Sequence, residues 1–447
     1  MSSYRIAPIL ASRADDTNAD GPAIATKVIR NLVPFMFVLY FINQVDRVNV
    51  AFAALTMNKD LGFTAEIYGF GAGIFFIGYF LFEVPSNLIM HRVGARLWLF
   101  RIMLTWGVIA TAMAWVHSPA SFYTLRFLLG LAEAGFVPGM FLYLSYWIPE
   151  SHTGRATGLF ILAGPVTTVV AGPLSSALLK LDGVLGLRGW QWMYIIEGLP
   201  AVAVAFATLW MLPDRPERAR WLAPSEKNWL AGVIGEERRA AANLGGHSLA
   251  HGLTSPIVLL LSAIYISVVI GLYGIAFWLP QIVRGIGFST LQTGFVVAVP
   301  YALGTVACFL WSRRSDRKLE RRWHFAVPCF LAAAGLIASA IMGSQWLALL
   351  PISLAVIGIW AAVPVLWCIP GRYLSGLAAA GGLAVINSIG NLGGFAGPYL
   401  VGLLRQSTGS FTAALVLLAA GPLVAGLLAL CLPAATARKT QAVGPSH

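Results

Sequence analysis

Charge is what this sequence lacks. Lys, Arg, Asp and Glu together make up 11% of its 447 residues, where a soluble globular chain carries about 25%. Acid is the scarcer sign, with 18 Asp and Glu against 30 Lys and Arg. So little charge cannot cover a soluble surface when 58% of the residues are hydrophobic, which excludes a soluble enzyme. The same apolar weight excludes an intrinsically disordered chain, which needs low hydrophobicity. Cysteine is as sparse: Cys308, Cys329, Cys368 and Cys431 stand singly in apolar runs. That excludes a disulfide scaffold, metal-ligand spacing and redox chemistry, and leaves four small packing residues. His247 and His251 lie four apart in a polar stretch, but with no third ligand and no Glu beside His247 they read as surface residues. No phosphate-binding loop is present, so ATP-driven transport has no support, and no cofactor is implied. Gly69-Phe-Gly71-Ala-Gly73 matches a dinucleotide loop in letters only and reads as close helix packing.

What is there instead is a series of apolar runs, each near the roughly 20 residues a bilayer-spanning helix needs. Twelve are expected, at 32–56, 68–90, 97–117, 121–147, 156–180, 192–212, 255–283, 291–312, 324–344, 346–368, 376–404 and 411–432. The polar first 30 residues, with Asp15, Asp16, Asp20, Lys27 and Arg30, do not resemble a cleavable signal, so the first span acts as the insertion signal. With both termini cytoplasmic, 23 of the 30 Lys and Arg fall in inside segments and five in outside loops, while Arg47 and Arg126 lie within spans. This follows the positive-inside rule, so the net charge of +12 expresses topology and no nucleic-acid partner is expected. The expected domains are a cytoplasmic tail (1–31), a six-helix bundle (32–212), a cytoplasmic central loop (213–254), a second six-helix bundle (255–432) and a cytoplasmic tail (433–447).

The two bundles repeat each other. Arg92, between spans two and three, and Arg317, between spans eight and nine, are 225 residues apart; so are Pro173 in span five and Pro398 in span eleven. One offset from two unrelated pairs indicates duplication, and parallel repeats place a transporter's substrate site at their interface near mid-membrane.

An ionisable group at mid-bilayer costs about 2.5 to 3.5 kcal/mol on insertion scales, so each is a candidate for function. Asp46 and Arg47 lie near the middle of span one, and Arg126 and Glu133 lie on one face of span four. A carboxylic acid in a low-dielectric cavity can exchange protons in the working pH range, whereas arginine stays charged and can grip a carboxylate with paired donors. The competing reading is two mutually neutralising ion pairs that fix packing. Under the 225 offset these four positions become Gly271, Leu272, Pro351 and Gly358, so the charge is confined to the first half. The second half offers Asn387 and Asn391, one turn apart on span eleven, and Trp367 near the end of span ten. Glu83, at the inner end of span two, is expected to tie the arginines of loop 2/3.

Several ordered motifs carry a resemblance. They are Asp46-Arg47-Val-Asn49; Pro85-Ser-Asn87 with Gly94-Ala-Arg96; Arg126-Phe-Leu-Leu-Gly130-Leu-Ala-Glu133; Gly189-Trp-Gln-Trp192 with Glu197-Gly198; Leu212-Pro-Asp214-Arg-Pro216; and Asp316-Arg317 through Arg321-Arg322-Trp323-His324. Together with the six-plus-six arrangement they resemble the major facilitator superfamily over about residues 30–432, and in detail its anion:cation symporter branch, which carries tartrate, sugar acids, phthalate and hydroxyphenylacetate. His91 and Asn87 depart from the superfamily's usual Asp and Gly. The resemblance implies an all-α membrane protein of twelve transmembrane helices in two pseudo-symmetric six-helix bundles. It also implies proton coupling at Asp46 and Glu133, a substrate carboxylate on Arg47, a supporting role for Arg126, and a cavity lined by Tyr79, Trp367 and Asn387, with Asn391 a turn away. Sugar-acid carriers have a hydroxyl-binding glutamine near Gly164, and branch members often have an aromatic where Gln44 stands. The small wall here leans toward a short or aromatic carboxylate.

The expected function is therefore proton-coupled uptake of a small organic anion by a monomer in the inner membrane. A proton-driven exporter of the same fold, hinted at by Gly172-Pro173, is the nearest alternative. A membrane-embedded enzyme is the distant one, since no histidine lies deep in a span to serve a nucleophile.

Overall fold

A computed structural model of the protein describes residues 21–243, 255–318, 320–342, 346–373 and 376–433, and every span is helical. His247 and His251 lie outside the described residues. Eleven helical stretches are long and apolar enough to cross a membrane. Span one runs Gly21–Leu61, two Ala65–Val93, three Ala95–Trp115, four Pro119–Leu144, five Glu150–Leu181 and six Gly189–Met211. Span seven runs Pro256–Gly285, eight Thr290–Lys318, nine Arg322–Met342, ten Trp346–Arg372 and twelve Thr412–Leu430. The remaining span, eleven, is two helices of 16 residues, Gly376–Asn391 and Gly393–Thr408, meeting at Leu392.

Spans four and five are also broken, although each apolar run reads as one helix. Span four stops at Glu133 and restarts at Phe136, with Ala134 extended and Gly135 left-handed at φ +85°. Pro138 explains the break, because it has no N–H for the carbonyl four residues back. Pro165 has the same relation to the break at Leu162 in span five. Helix one begins at Gly21, well before its apolar run. Its extension buries Ile24, Val28 and Ile29, and its Lys27 pairs with Glu226 at 2.8 Å on a linker helix, Pro224–Asn243. That linker belongs to the first half: Tyr143 donates to the Pro213 carbonyl at 2.8 Å, and Trp147 stacks on Trp221.

The halves meet along spans two and eleven, five and eight, and one and seven. At the end holding loops 1/2 and 7/8 glycines bring the backbones of the two halves together, and the Tyr68 hydroxyl donates to the Phe277 carbonyl at 2.7 Å. A Cβ on Gly69 would lie 2.6 Å from the Pro398 carbonyl, one on Gly73 2.7 Å from that of Phe395, and one on Gly172 2.7 Å from that of Gly294. The glycine run in span two is thus a packing seam, as its sequence suggests. At the opposite end, span two reaches span eleven through side chains of a different kind.

Candidate functional site

Among the described residues, six acidic or arginine side chains are buried deep in the spans, and all belong to the first half: Asp46, Arg47, Glu83, Arg126, Glu133 and Glu197. In the second half His324 is buried at the start of span nine. Four acids facing two arginines cannot all be neutralised by ion pairs.

Arg47 and Glu133 form the centre. Glu133 ends the first helix of span four, which sets the negative end of that helix beside its carboxylate. Arg47 supplies the counter-charge: Nε donates to Oε1 at 2.8 Å and Nη2 donates to the same oxygen. Oε2, fully buried, has no hydrogen-bond partner. The remaining arm, Nη1, lies 3.4 Å from the Tyr273 hydroxyl on span seven, so one guanidinium touches both halves. Its flat face lies over Phe75 and Tyr79 of span two, 5.4 and 5.2 Å from the ring centroids, where cation–π attraction holds it without using its donors.

The neighbouring groups are held differently. Asp46 turns away from Arg47 and accepts from the Trp106 indole N–H of span three at 2.6 Å. Glu197 of span six accepts from the Ser175 hydroxyl at 2.7 Å. Among the described residues Arg126 makes no carboxylate contact: its Nε and Nη2 donate to the Gly71 and Ala72 carbonyls at 3.2 and 2.9 Å, and its face lies over Phe75 at 5.0 Å. Two ion pairs would be the simple packing solution, but one is present, and Asp46 and Glu197 have only neutral donors.

Tyr79 is buried in the aromatic wall beside Arg47. Trp367 is half-buried, edge-on to Tyr265 at 5.0 Å, and Asn391 is buried a turn beyond Asn387. The expectation for Glu83 is wrong. Instead of tying the loop 2/3 arginines it crosses to the other half, where Asn387 Nδ2 donates to one carboxylate oxygen and Ser388 Oγ to the other at 2.9 Å. Its side chain points inward to span eleven, away from the loop. Tyr273, Trp106 and Ser388 were not singled out by sequence, and Glu197 entered only as part of the 189–198 motif, with no role given to it. For Glu197 the signal existed, since it is an acid inside an apolar run like Asp46 and Glu133. For Tyr273 and Ser388 none existed, because their roles depend on which helices face each other.

Comparison with known proteins decides the class at this point. Residues 36–398 match the Major Facilitator Superfamily. The chain belongs to this superfamily. Among its members, a candidate tartrate transporter of Agrobacterium vitis is 48% identical over 93% of this chain and 92% of its own length. A quinolone resistance transporter of Acinetobacter baumannii is 41% identical over 87% and 89% respectively. The xylose transporter XylE of E. coli, in a partially occluded inward-open conformation, superposes with a TM-score of 0.71 over 91% of this chain and all of its own, at 14% identity. A superfamily of transporters and transporter relatives make this chain a multi-pass membrane transporter of the major facilitator fold with two six-helix halves.

Proposed function

We propose that the protein is a proton-coupled symporter that takes up a small organic carboxylate by alternating access, with both termini cytoplasmic in the inner membrane. The observation that carries this is the buried Arg47–Glu133 pair at the junction of the halves. Glu133 occupies the donors that a substrate carboxylate would need. A proton on Glu133 removes its charge and releases Arg47 to the substrate, so each anion bound requires a proton bound. Asp46 is the second proton site, Arg126 anchors the network to span two, and Tyr79, Trp367, Asn387 and Asn391 line the space that the substrate enters.

The substrate class follows from size and charge. A Cβ on Gly164 would face the Tyr40 hydroxyl at 3.7 Å and the Gln44 amide at 3.8 Å, so the glycine leaves room beside two polar side chains that can donate to a small acid. A short dicarboxylate suits it, and tartrate is the first compound to test because the 48% identical relative is named for it. Reconstituted vesicles with an inward proton gradient should concentrate the right acid. Uptake that a protonophore leaves unchanged would remove proton coupling. The export reading rests on the relative named for quinolone resistance; the same vesicles test it, since an exporter accumulates substrate only when the gradient is reversed.

A further inference from the structure

Glu83 has no part in the cycle described so far, yet it joins the two halves at the end holding loop 2/3. Its side chain is 3% exposed, and both carboxylate oxygens accept hydrogen bonds from consecutive residues of the opposite half, Asn387 and Ser388 of span eleven. We propose that Glu83 is a third proton-binding group of the transport cycle, and that its ionised form latches spans two and eleven together at the loop 2/3 end.

The argument is one of bond types. An ionised carboxylate accepts from both partners, and such charge-assisted bonds are roughly twice as strong as neutral ones. A protonated carboxyl has spent one oxygen's role on its own O–H, so it keeps at best neutral bonds to the same two side chains. The charged groups within reach are few. Among the described residues, Arg47 of span one is the cation that acts on Glu83, and it already serves Glu133; the titratable neighbours are Tyr79 on the same helix and Tyr265 on span seven. No cation contacts Glu83 directly among the described residues, so the cross-half donors carry the stabilisation of its charge. Opening the loop 2/3 end must separate span two from span eleven, hence must strip the carboxylate of both donors. Proton binding lowers that cost. At the opposite end, the described contacts between halves are glycine backbones, aromatic rings and the Tyr68 hydroxyl on the Phe277 carbonyl, and none of these places a carboxylate across the seam. The carboxylate latch thereby acts at one end of the carrier.

A consequence concerns Asn387. While Glu83 holds its amide, the substrate cannot use the same donors, so the lining role proposed above for Asn387 begins only after the latch releases. The inference rests on the alternating-access reading but not on what drives transport.

The test therefore reads conformation rather than uptake. Spin labels at Leu97→Cys and Trp323→Cys, both exposed at the loop 2/3 end of opposite halves, are placed on a full-length chain whose four native cysteines are serine. Distance distributions are recorded in lipid nanodiscs from alkaline to acidic buffer without substrate. The parent should shift toward the longer, open distance as pH falls. Glu83→Gln should raise the open-to-closed ratio in alkaline buffer by roughly tenfold to a hundredfold, the range expected for hydrogen bonds to a charged group, and should flatten the pH response. Asn387→Ala combined with Ser388→Ala should do the same, which covers the case in which the Glu83 variant fails to fold. Either variant keeping the parent's pH-dependent distribution overturns the latch. If the distances respond as stated while vesicle uptake ignores the proton gradient, the latch stands and the proton-coupling reading falls.

Discussion

Arg47 bears the sharpest residue-scale prediction. Its fork already makes paired donations to Glu133, and a lysine offers the charge without the fork. Arg47→Lys should therefore fold but lose roughly ten- to a hundredfold in affinity for the transported acid, read by calorimetry in detergent. Glu133→Gln should abolish gradient-driven accumulation while leaving exchange of substrate across the vesicle membrane, because exchange needs no net proton release. Normal accumulation by that variant would return Glu133 to a packing role. The location of these groups was legible in the sequence for one reason: a charge inside an apolar run is conspicuous, and Asp46, Arg47, Arg126 and Glu133 are each such a charge. Their partners were not legible. Nothing in the order of residues says that Asp46 meets Trp106 or that Glu83 meets span eleven, since these contacts join positions 60 and about 300 residues apart.

At the scale of single elements, apolar runs located the spans but concealed their interruptions. Hydropathy is blind to Gly135 and Pro138, which together end one helix at Glu133 and begin another, and so decide that the carboxylate lies at a helix terminus. The linker helix has its own prediction. The Lys27 ammonium holds the half-buried Glu226 carboxyl below its usual range, with the Ala223 N–H adding to the effect. A carboxyl lowered in the folded state contributes stability above its unfolded pKa, and the contribution is lost as pH falls through the folded value. Docking of Pro224–Asn243 against helix one should thus loosen below the ordinary glutamate range. Hydrogen exchange of the linker amides, corrected for intrinsic rates, should show protection falling with pH in the parent, while Glu226→Gln should begin less protected and change little.

For the molecule as a whole, the 225-residue repeat gave away the two halves, and the shared glycines show how closely they approach. Gly294→Leu would drive a side chain into the Gly172 carbonyl and Ser176 across the seam. That variant should hold the loop 1/2 end apart, and cysteines placed there should react with impermeant thiol reagents several times faster than in the parent; unchanged labelling would mean the seam yields without opening.

The confinement of buried charge to one half has an electrical consequence. With every acid ionised, Asp46, Glu83, Glu133 and Glu197 outweigh Arg47 and Arg126, leaving the empty carrier's moving centre negative. A field acts on such a centre with up to about 2.3 kcal/mol per elementary charge for roughly each 100 mV. An interior-negative cell repels it toward the outer face, where protons and substrate wait, and protonation then cancels the charge that the field was holding there. Under the proposed cycle, the resting voltage resets the unloaded carrier. A potassium diffusion potential imposed on proteoliposomes should accordingly speed net uptake when negative inside and leave one-for-one exchange of substrate untouched.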